Sequence, residues 1–328
     1  MLTFIDFFAG IGGFHLGMET AGHKCVGWCE IDKFARKSYE AMCETKGLWT
    51  ATDIRAVEPS ELPEAGIYTF GFPCQSSSIA GRREGFADTR GTLFFEVMRL
   101  AKVRKPKYLI GENVAGLLSH DGGRTFEKII STMAELGYSV EWQVINSKYY
   151  VPQNRERVFI VGHSRKGRTR KIFPIRETHK KADGVQEQPA QVKQIIGGGQ
   201  GNRVYDSSGI SVTLSSDGGG KGAKTGLYAI PVSTIDLKSE KSSTRRGIFK
   251  ENYIGSLDTY CYQAVLENMR MRIRKLTPKE CFRLQGFPDE YFDKAKSVNS
   301  DSQLYKQAGN SVTVPVVYEI AKRLGGTK

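Results

Sequence analysis

Short apolar runs alternate with longer mixed stretches through the first 162 residues. "LTFIDFF" (2–8), "KCVGWCEI" (24–31), "GIYTFGF" (66–72), "PKYLIGE" (106–112), "YSVEWQVIN" (138–146) and "RVFIVGH" (157–163) are rich in β-branched and aromatic residues and read as strands. Between them lie stretches of helical length: "GIGGFHLGMETAG", stopped at Gly22, then "DKFARKSYEAMCETKG", "GTLFFEVMRLAKVRK" and "RTFEKIISTMAELG". Strands alternating with helices of about 12 residues predict a mostly parallel sheet covered on both faces. In such a doubly wound α/β fold, loops converge at the carboxyl ends of the strands and function gathers there.

The pattern changes after His163. Residues 164–181 carry eight Lys or Arg against one acid, Glu177. Glycine-rich and turn-rich segments follow, among them "IIGGGQGNRVYD" and "SDGGGKGAKTGLY", without helical periodicity up to about residue 268. The apolar "VYDSSGISVTL" between them favours a small domain of loops and short strands over a flexible linker. Helix signals return in "LTPKECFRLQGF", with Thr277 as N-cap, Pro278 in the first turn and Gly286 at the stop. A last helix falls at "VPVVYEIAKRL". Two units are expected: residues 1–183 plus about 296–328, and residues 184–295.

Charge narrows the class of partner. Among 328 residues, 48 Lys and Arg face 35 acids, a net +13 that favours a polyanion such as nucleic acid. The six cysteines (25, 29, 43, 74, 261, 281) are irregularly spaced and include no CxxC, so neither a disulfide framework nor structural zinc is expected. Asp6 inside the first apolar run argues against a signal peptide, and no run of about 18 apolar residues predicts a membrane span. The expectation is a soluble cytoplasmic protein with free thiols.

Two groups of residues carry candidate chemistry. In "DFFAGIGGF" (6–14) a strand passes into a helix through Gly10, Gly12 and Gly13, where the backbone can approach a ligand closely. The spacing is GxGG, not the GxGxxG of dinucleotide sites, and Asp6 beside the loop would repel a pyrophosphate. Glu30, 20 residues after Gly10, is placed to grip a ribose diol, and Asp53 in "TDI" to meet an adenine amino group. A nucleoside without phosphate and with an amino-acid tail fits this set, which describes S-adenosylmethionine.

The second group begins with Cys74 in "GFPCQSSSIAG", a thiol between proline and glutamine at the exit of a strand. A core position suits those neighbours poorly, whereas a nucleophile suits them well. Glu112 in "IGENV" is expected just past another strand, at the same rim. Arg155 and Arg157 in "QNRERVFIV" share one face by alternation, ready for an anionic or carbonyl-oxygen partner or for a surface ion pair.

These motifs, in this order, resemble the DNA (cytosine-5)-methyltransferase family of the bacterial and phage restriction–modification type. The resemblance runs from "DFFAGIGGF" through "EIDKFA", "TDI", "GFPCQSSSIAG", "DTRGTLFFE", "GENV" and "QNRERVF" to "RKLTPKECFRLQGFP" and "QAGNSVTVPVV", nearly the whole chain. It implies that the Cys74 thiolate adds to C6 of a flipped-out cytosine and pushes electrons to C5, which takes the methyl group from S-adenosylmethionine. Loss of the C5 proton and β-elimination of the cysteine would then release the product, leaving S-adenosylhomocysteine and requiring no metal. Glu112 would hold N3 protonated, Arg157 would bind O2, and Arg155 would position the site.

The resemblance further implies a cofactor site of Phe8, Gly10, Ile11, Gly13, Glu30, Ile31, Asp53, Ile54, Pro73, Leu93, Asn310 and Val312. Ile31 departs from the aromatic residue of many members, which weakens adenine stacking or leaves it to Phe8. Residues 1–183 with about 296–328 would be the catalytic domain, and 184–295 the target-recognition domain and hinge. Gln75, Ser78, Arg82 and Arg90 would touch double-stranded DNA around the flipped base. Gln200, Arg203, Thr213 and Ser215 would meet a short GC-containing site, with Asp217 and Ala80 departing from related enzymes. A monomer, acting alone or beside a restriction endonuclease of the same site, completes the expectation.

Overall fold

The computed structural model describes residues 1–72, 92–176, 191–197, 203–216, 225–231 and 271–324. Seven strands form the main sheet: β1 (Thr3–Phe7), β2 (Lys24–Cys29), β3 (Trp49–Ala51), β4 (Ile67–Gly71), β5 (Tyr108–Val114), β6 (Tyr138–Asn146) and β7 (Glu156–Ser164). Their order is β3-β2-β1-β4-β5-β7-β6, and every neighbouring pair from β3 to β5 is parallel. The doubly wound sheet expected from the alternation of runs is the one that forms. β7 runs antiparallel to both β5 and β6, because it follows β6 through a short connection rather than a crossover helix. Its beginning therefore lies at the rim where the parallel strands end.

Alternation divides each strand between two cores. Ile5, Phe7, Phe70 and Leu109 face one side, where they pack with Val97 of α3 (Thr92–Arg104) and Ile129 of α4 (Arg124–Glu135). Phe4, Ile67, Ile110 and Val161 face the other, against Phe14 and Met18 of α1 (Gly13–Thr20) and Val316 and Ile320 of α8 (Val314–Ala321). Asp6 is fully buried in β1, and its Oδ1 accepts the Thr69 hydroxyl at 2.9 Å. Burial raises its pKa well above the usual carboxylate value of 3.8. The carboxyl sits inside the sheet, so the expected repulsion of a pyrophosphate at the loop loses its basis.

A smaller four-stranded sheet joins β8 (Gln194–Ile196), β9 (Val204–Asp206), β10 (Leu227–Pro231) and β11 (Met271–Arg274) in the order β11-β10-β9-β8. Its own core is small, built on Val204, Leu227 and Ala229. Helix α5 (Pro278–Leu284) begins where its signals place it: Thr277 Oγ1 accepts the Glu280 N–H while Glu280 caps the Thr277 N–H, a reciprocal box. Two helices then appear that the periodicity did not predict, α6 (Asp289–Val298) and α7 (Asp301–Asn310). Phe282 of α5, Phe292 of α6 and Leu304 of α7 share one core with Ile11 and with Met42 of α2 (Lys33–Met42).

Candidate active site

The loop from β1 to α1 forms the first part of the rim. Phe8 and Gly10 adopt left-handed angles, φ 55 and φ 57. A Cβ built on Gly10 meets nothing within 4 Å, so the backbone there is open to a ligand. Gly13 is required for the opposite reason: a Cβ would lie 2.7 Å from Val312 Cγ1 and 2.9 Å from the Val312 carbonyl oxygen. The loop thus packs tightly against the turn between α7 and α8. Val312 is buried there, while Asn310 is exposed at the end of α7.

Glu30, at the end of β2, closes on this loop. Its Oε2 accepts the Gly10 N–H and its Oε1 the Asp32 N–H, both at 2.8 Å. Burial raises the Glu30 pKa, and the two amide bonds oppose that rise. Each carboxylate oxygen keeps a second lone pair, enough for one hydroxyl each from a vicinal diol. Ile31 is 61% exposed beside it, leaving most of an apolar side chain uncovered. An open backbone, a fixed carboxylate and an uncovered apolar side chain fit a nucleoside.

Asp53 is differently employed. It caps the turn Ile54–Ala56, and Arg55 Nε and Nη2 hold its two oxygens at 2.9 and 2.6 Å. That guanidinium holds its carboxyl below the usual range, so an adenine amino group would share an acceptor already engaged. Ile54 is buried, and Arg99 Nη2 donates to the Ile54 and Val57 carbonyls at 3.2 and 2.9 Å, which fixes this turn. Leu93 is half-buried in the first turn of α3, packed against the adjoining core. Sequence reasoning passed over Arg36, whose Nη1 donates to the Glu30 and Ala51 carbonyls while its guanidinium lies 4.4 Å over the Trp28 ring. Its only sequence signal is a cation four places after the Asp32 cap.

In β5, three strands from β2, Glu112 pairs in register with Gly71 of β4 and Phe159 of β7. It lies within β5 rather than just past it. The antiparallel run of β7 brings Arg157 opposite Val114, at the same end. Arg157 Nε is 3.1 Å from Glu112 Oε1, with side-chain exposures of only 16% and 13%. Burial lowers the Arg157 pKa, and the Glu112 charge opposes that shift. Asn113 Nδ2 donates to the Phe72 carbonyl at 3.0 Å and pins the exit of β4. Pro73, Cys74, Gln75, Ser78, Arg82, Arg90 and Gln200 lie outside the described residues.

Arg155 takes another direction from Arg157. Its guanidinium is buried, and Nη2 donates to the carbonyls of Gly309 and Ser311 at 3.1 and 2.8 Å. Burial, together with the neighbouring Arg157 charge, pushes its pKa down to about 9. In the small sheet's connections, Arg203 is exposed, Thr213 Oγ1 donates to the Asn154 carbonyl at 2.6 Å, and Ser215 N–H donates to Thr225 Oγ1 at 3.1 Å. The geometry therefore gathers Phe8, Gly10, Ile11, Gly13, Glu30 and Val312 around one loop, and Glu112 with Arg157 at a second point on the same rim.

Residues 2–326 match the model of a family described as C-5 cytosine-specific DNA methylase. The type II methyltransferase M.HhaI of Haemophilus parahaemolyticus is 34% identical over 99% of this chain and 95% of its own length. The orphan methyltransferase M.SPRI of Bacillus phage SPR is 32% identical over 98% of this chain and 97% of its own. Among solved structures, the S. pombe Dnmt2 methyltransferase superposes with a TM-score of 0.66 at 14% identity, covering 98% of this chain and 97% of that one, a likeness of fold. No described helix is long and apolar enough to cross a membrane.

Proposed function

The chain belongs to the C-5 cytosine-specific DNA methylase family, and from that premise we propose how its own residues perform the methylation. It is a DNA (cytosine-5-)-methyltransferase of the restriction–modification type, acting on DNA with S-adenosylmethionine. When bound, that cofactor supplies an electrophilic methyl group for C5. Glu30 takes the ribose diol, with Gly10 and Gly13 giving the backbone approach and Phe8, Ile11, Ile31, Ile54, Pro73 and Leu93 the apolar lining. Asp53 meets the adenine edge, and Asn310 with Val312 closes the site.

Cytosine C5 is too weak a nucleophile unaided. In this reading the base is flipped out of the duplex and the Cys74 thiolate adds to C6. The observation that carries the reading is the Glu112–Arg157 ion pair at 3.1 Å, beside the exit of β4 that leads to Cys74. Glu112 holds the proton at N3 and contacts the exocyclic amine, while Arg157 accepts the charge growing at O2. Removal of the C5 proton by a base or water then lets cysteine leave. Arg155 acts as a positioning residue, through the Gly309 and Ser311 carbonyls it holds.

Residues 1–183 with about 296–328 carry this chemistry, and 184–295 serve as recognition domain and hinge. Gln75, Ser78, Arg82, Arg90, Gln200, Arg203, Thr213 and Ser215 contact the duplex. The enzyme acts as a cytoplasmic monomer, with or without an endonuclease of the same short GC-containing site. Transfer of tritium from labelled cofactor to a random duplex library, followed by bisulfite sequencing, tests substrate and site together. Methyl groups in one short duplex sequence are expected; label in tRNA with none in DNA would contradict the reading.

A further inference from the structure

Where the catalytic unit meets the recognition segment, the chain is held by buried side-chain amides. Gln153 is fully buried; its Oε1 accepts the Leu214 N–H at 3.1 Å and its Nε2 donates to the Leu284 carbonyl at 2.8 Å. Gln285, the next residue, is also fully buried; its Nε2 donates to the Ala308 carbonyl at 2.8 Å and its Oε1 accepts the Thr313 hydroxyl at 3.0 Å. Arg155 Nη2 takes the two carbonyls between, those of Gly309 and Ser311. A hydrogen-bonded path thus leads from the recognition segment at Leu214 to the turn at 308–313.

A steric contact reaches the same turn independently. A Cβ on Gly309 would lie 2.4 Å from the Ser216 nitrogen and 2.5 Å from the Ser215 carbonyl carbon, so the end of α7 rests directly on recognition backbone. On its other side the turn presses Val312 against Gly13 of the cofactor loop. Buried polar groups are satisfied in few arrangements, and dense packing shifts between them rather than stretching. The turn cannot move without taking either its recognition neighbour or its cofactor neighbour with it.

We propose that this network couples sequence recognition to cofactor retention: the seating of residues 214–216 on the target sequence sets the position of Asn310–Val312. Gln153 and Gln285 are its positioning residues, and neither touches DNA or cofactor. The proposal rests on the reading above, in which residues 184–295 read DNA and Asn310 with Val312 close the cofactor site. Linkage makes the coupling reciprocal, so bound cofactor tightens the cognate duplex by the same factor.

Calorimetric titration of the full chain with S-adenosylhomocysteine tests this, alone, with saturating duplex of the methylated sequence, and with a scrambled duplex. The cognate duplex is expected to tighten wild-type binding about tenfold over the scrambled one. Gln153→Glu keeps the acceptor for Leu214 but loses the donor to Leu284; Gln285→Glu keeps the acceptor for Thr313 but loses the donor to Ala308. In both, the cognate-to-scrambled ratio should fall below about threefold while affinity without DNA stays within about threefold of wild type. Gly309→Ala, which intrudes on Ser215 and Ser216 and removes no hydrogen bond, should lower the ratio likewise and serves if an amide variant does not fold. A wild-type ratio of one, an unchanged ratio in the folded variants, or equal loss of affinity with and without DNA would overturn the coupling. A wild-type chain that binds no S-adenosylhomocysteine, or methylates no DNA, would overturn the function itself.

Discussion

Glu30 and Glu112 stand on one rim of one sheet and are satisfied in opposite ways. Glu30 is held by two backbone N–H groups, whereas Glu112 is held by the guanidinium of Arg157. Main-chain donors keep their geometry whether or not a ligand is present, so the Glu30 carboxylate is held in place beforehand, as the proposed cofactor site would require. A side-chain ion pair can trade partners as charge redistributes, and a protein-held guanidinium is a strong donor to a developing oxyanion. In the proposed function the same residue type would therefore serve binding in one place and chemistry in the other, according to what neutralises it.

The two acids should differ most in their effect on the chemistry. Cys74→Ser should lower single-turnover methylation by at least about 10³-fold, with S-adenosylhomocysteine affinity within about threefold of wild type. Glu112→Gln, which removes the charge and keeps the shape, should cost about 10²–10³-fold in kcat, again sparing cofactor binding. On the binding side the pattern reverses. Glu30→Gln should weaken S-adenosylhomocysteine by about tenfold in calorimetry, while kcat at saturating cofactor stays within about threefold. Equal effects of the Glu30 and Glu112 changes on affinity and on kcat would erase the distinction between grip and chemistry.

The smallest expected effect concerns the buried acid beneath the cofactor loop. Burial raises the Asp6 pKa in the folded protein above its unfolded value near 3.8, so the folded state binds the extra proton. Its contribution to stability is therefore present at acid pH and declines as pH rises from the unfolded pKa towards the folded one. Asp6→Asn mimics the protonated acid and removes this loss. Melting temperatures should be higher for the variant at about pH 8, with the gain shrinking towards about pH 5. A gain that grows on acidification would contradict the assignment.

Six of the seven main strands were legible as short runs rich in apolar residues, with helices of regular length between the first of them; β3, three residues with none buried, leaves no such run. The start of α5 was legible to the residue, since Thr277 and Pro278 mark a helix N-terminus by local chemistry alone. Helices α6 and α7 were not. Their large buried apolar residues are few, Phe292 in one and Leu304 and Tyr305 in the other, and the remaining buried positions are small or polar: Ala295, Gln307, Ala308 and Gly309. In the site, Glu30 was legible because it directly follows the end of β2, whereas Glu112, expected just past its strand, lies within β5 and is brought to the rim by the strand order. The destination of Arg155 could not, because a long side chain chooses among carbonyls supplied by residues more than 150 positions away. Gln153 was invisible for the same reason: its partners at 214 and 284 are brought together only by the tertiary fold.

In the proposed reaction Cys74, two residues after Phe72 in the chain, bonds covalently to the base that Glu112 and Arg157 hold. Incubation with S-adenosylmethionine and a duplex carrying 5-fluorocytosine at the target position tests it directly, because fluorine in place of the C5 proton blocks elimination. Mass spectrometry of the digested complex is expected to find the methylated base bonded to the Cys74 peptide, and nothing bonded in Cys74→Ser. A duplex methylated at its usual rate with no adduct, or an adduct on another residue, would contradict the account.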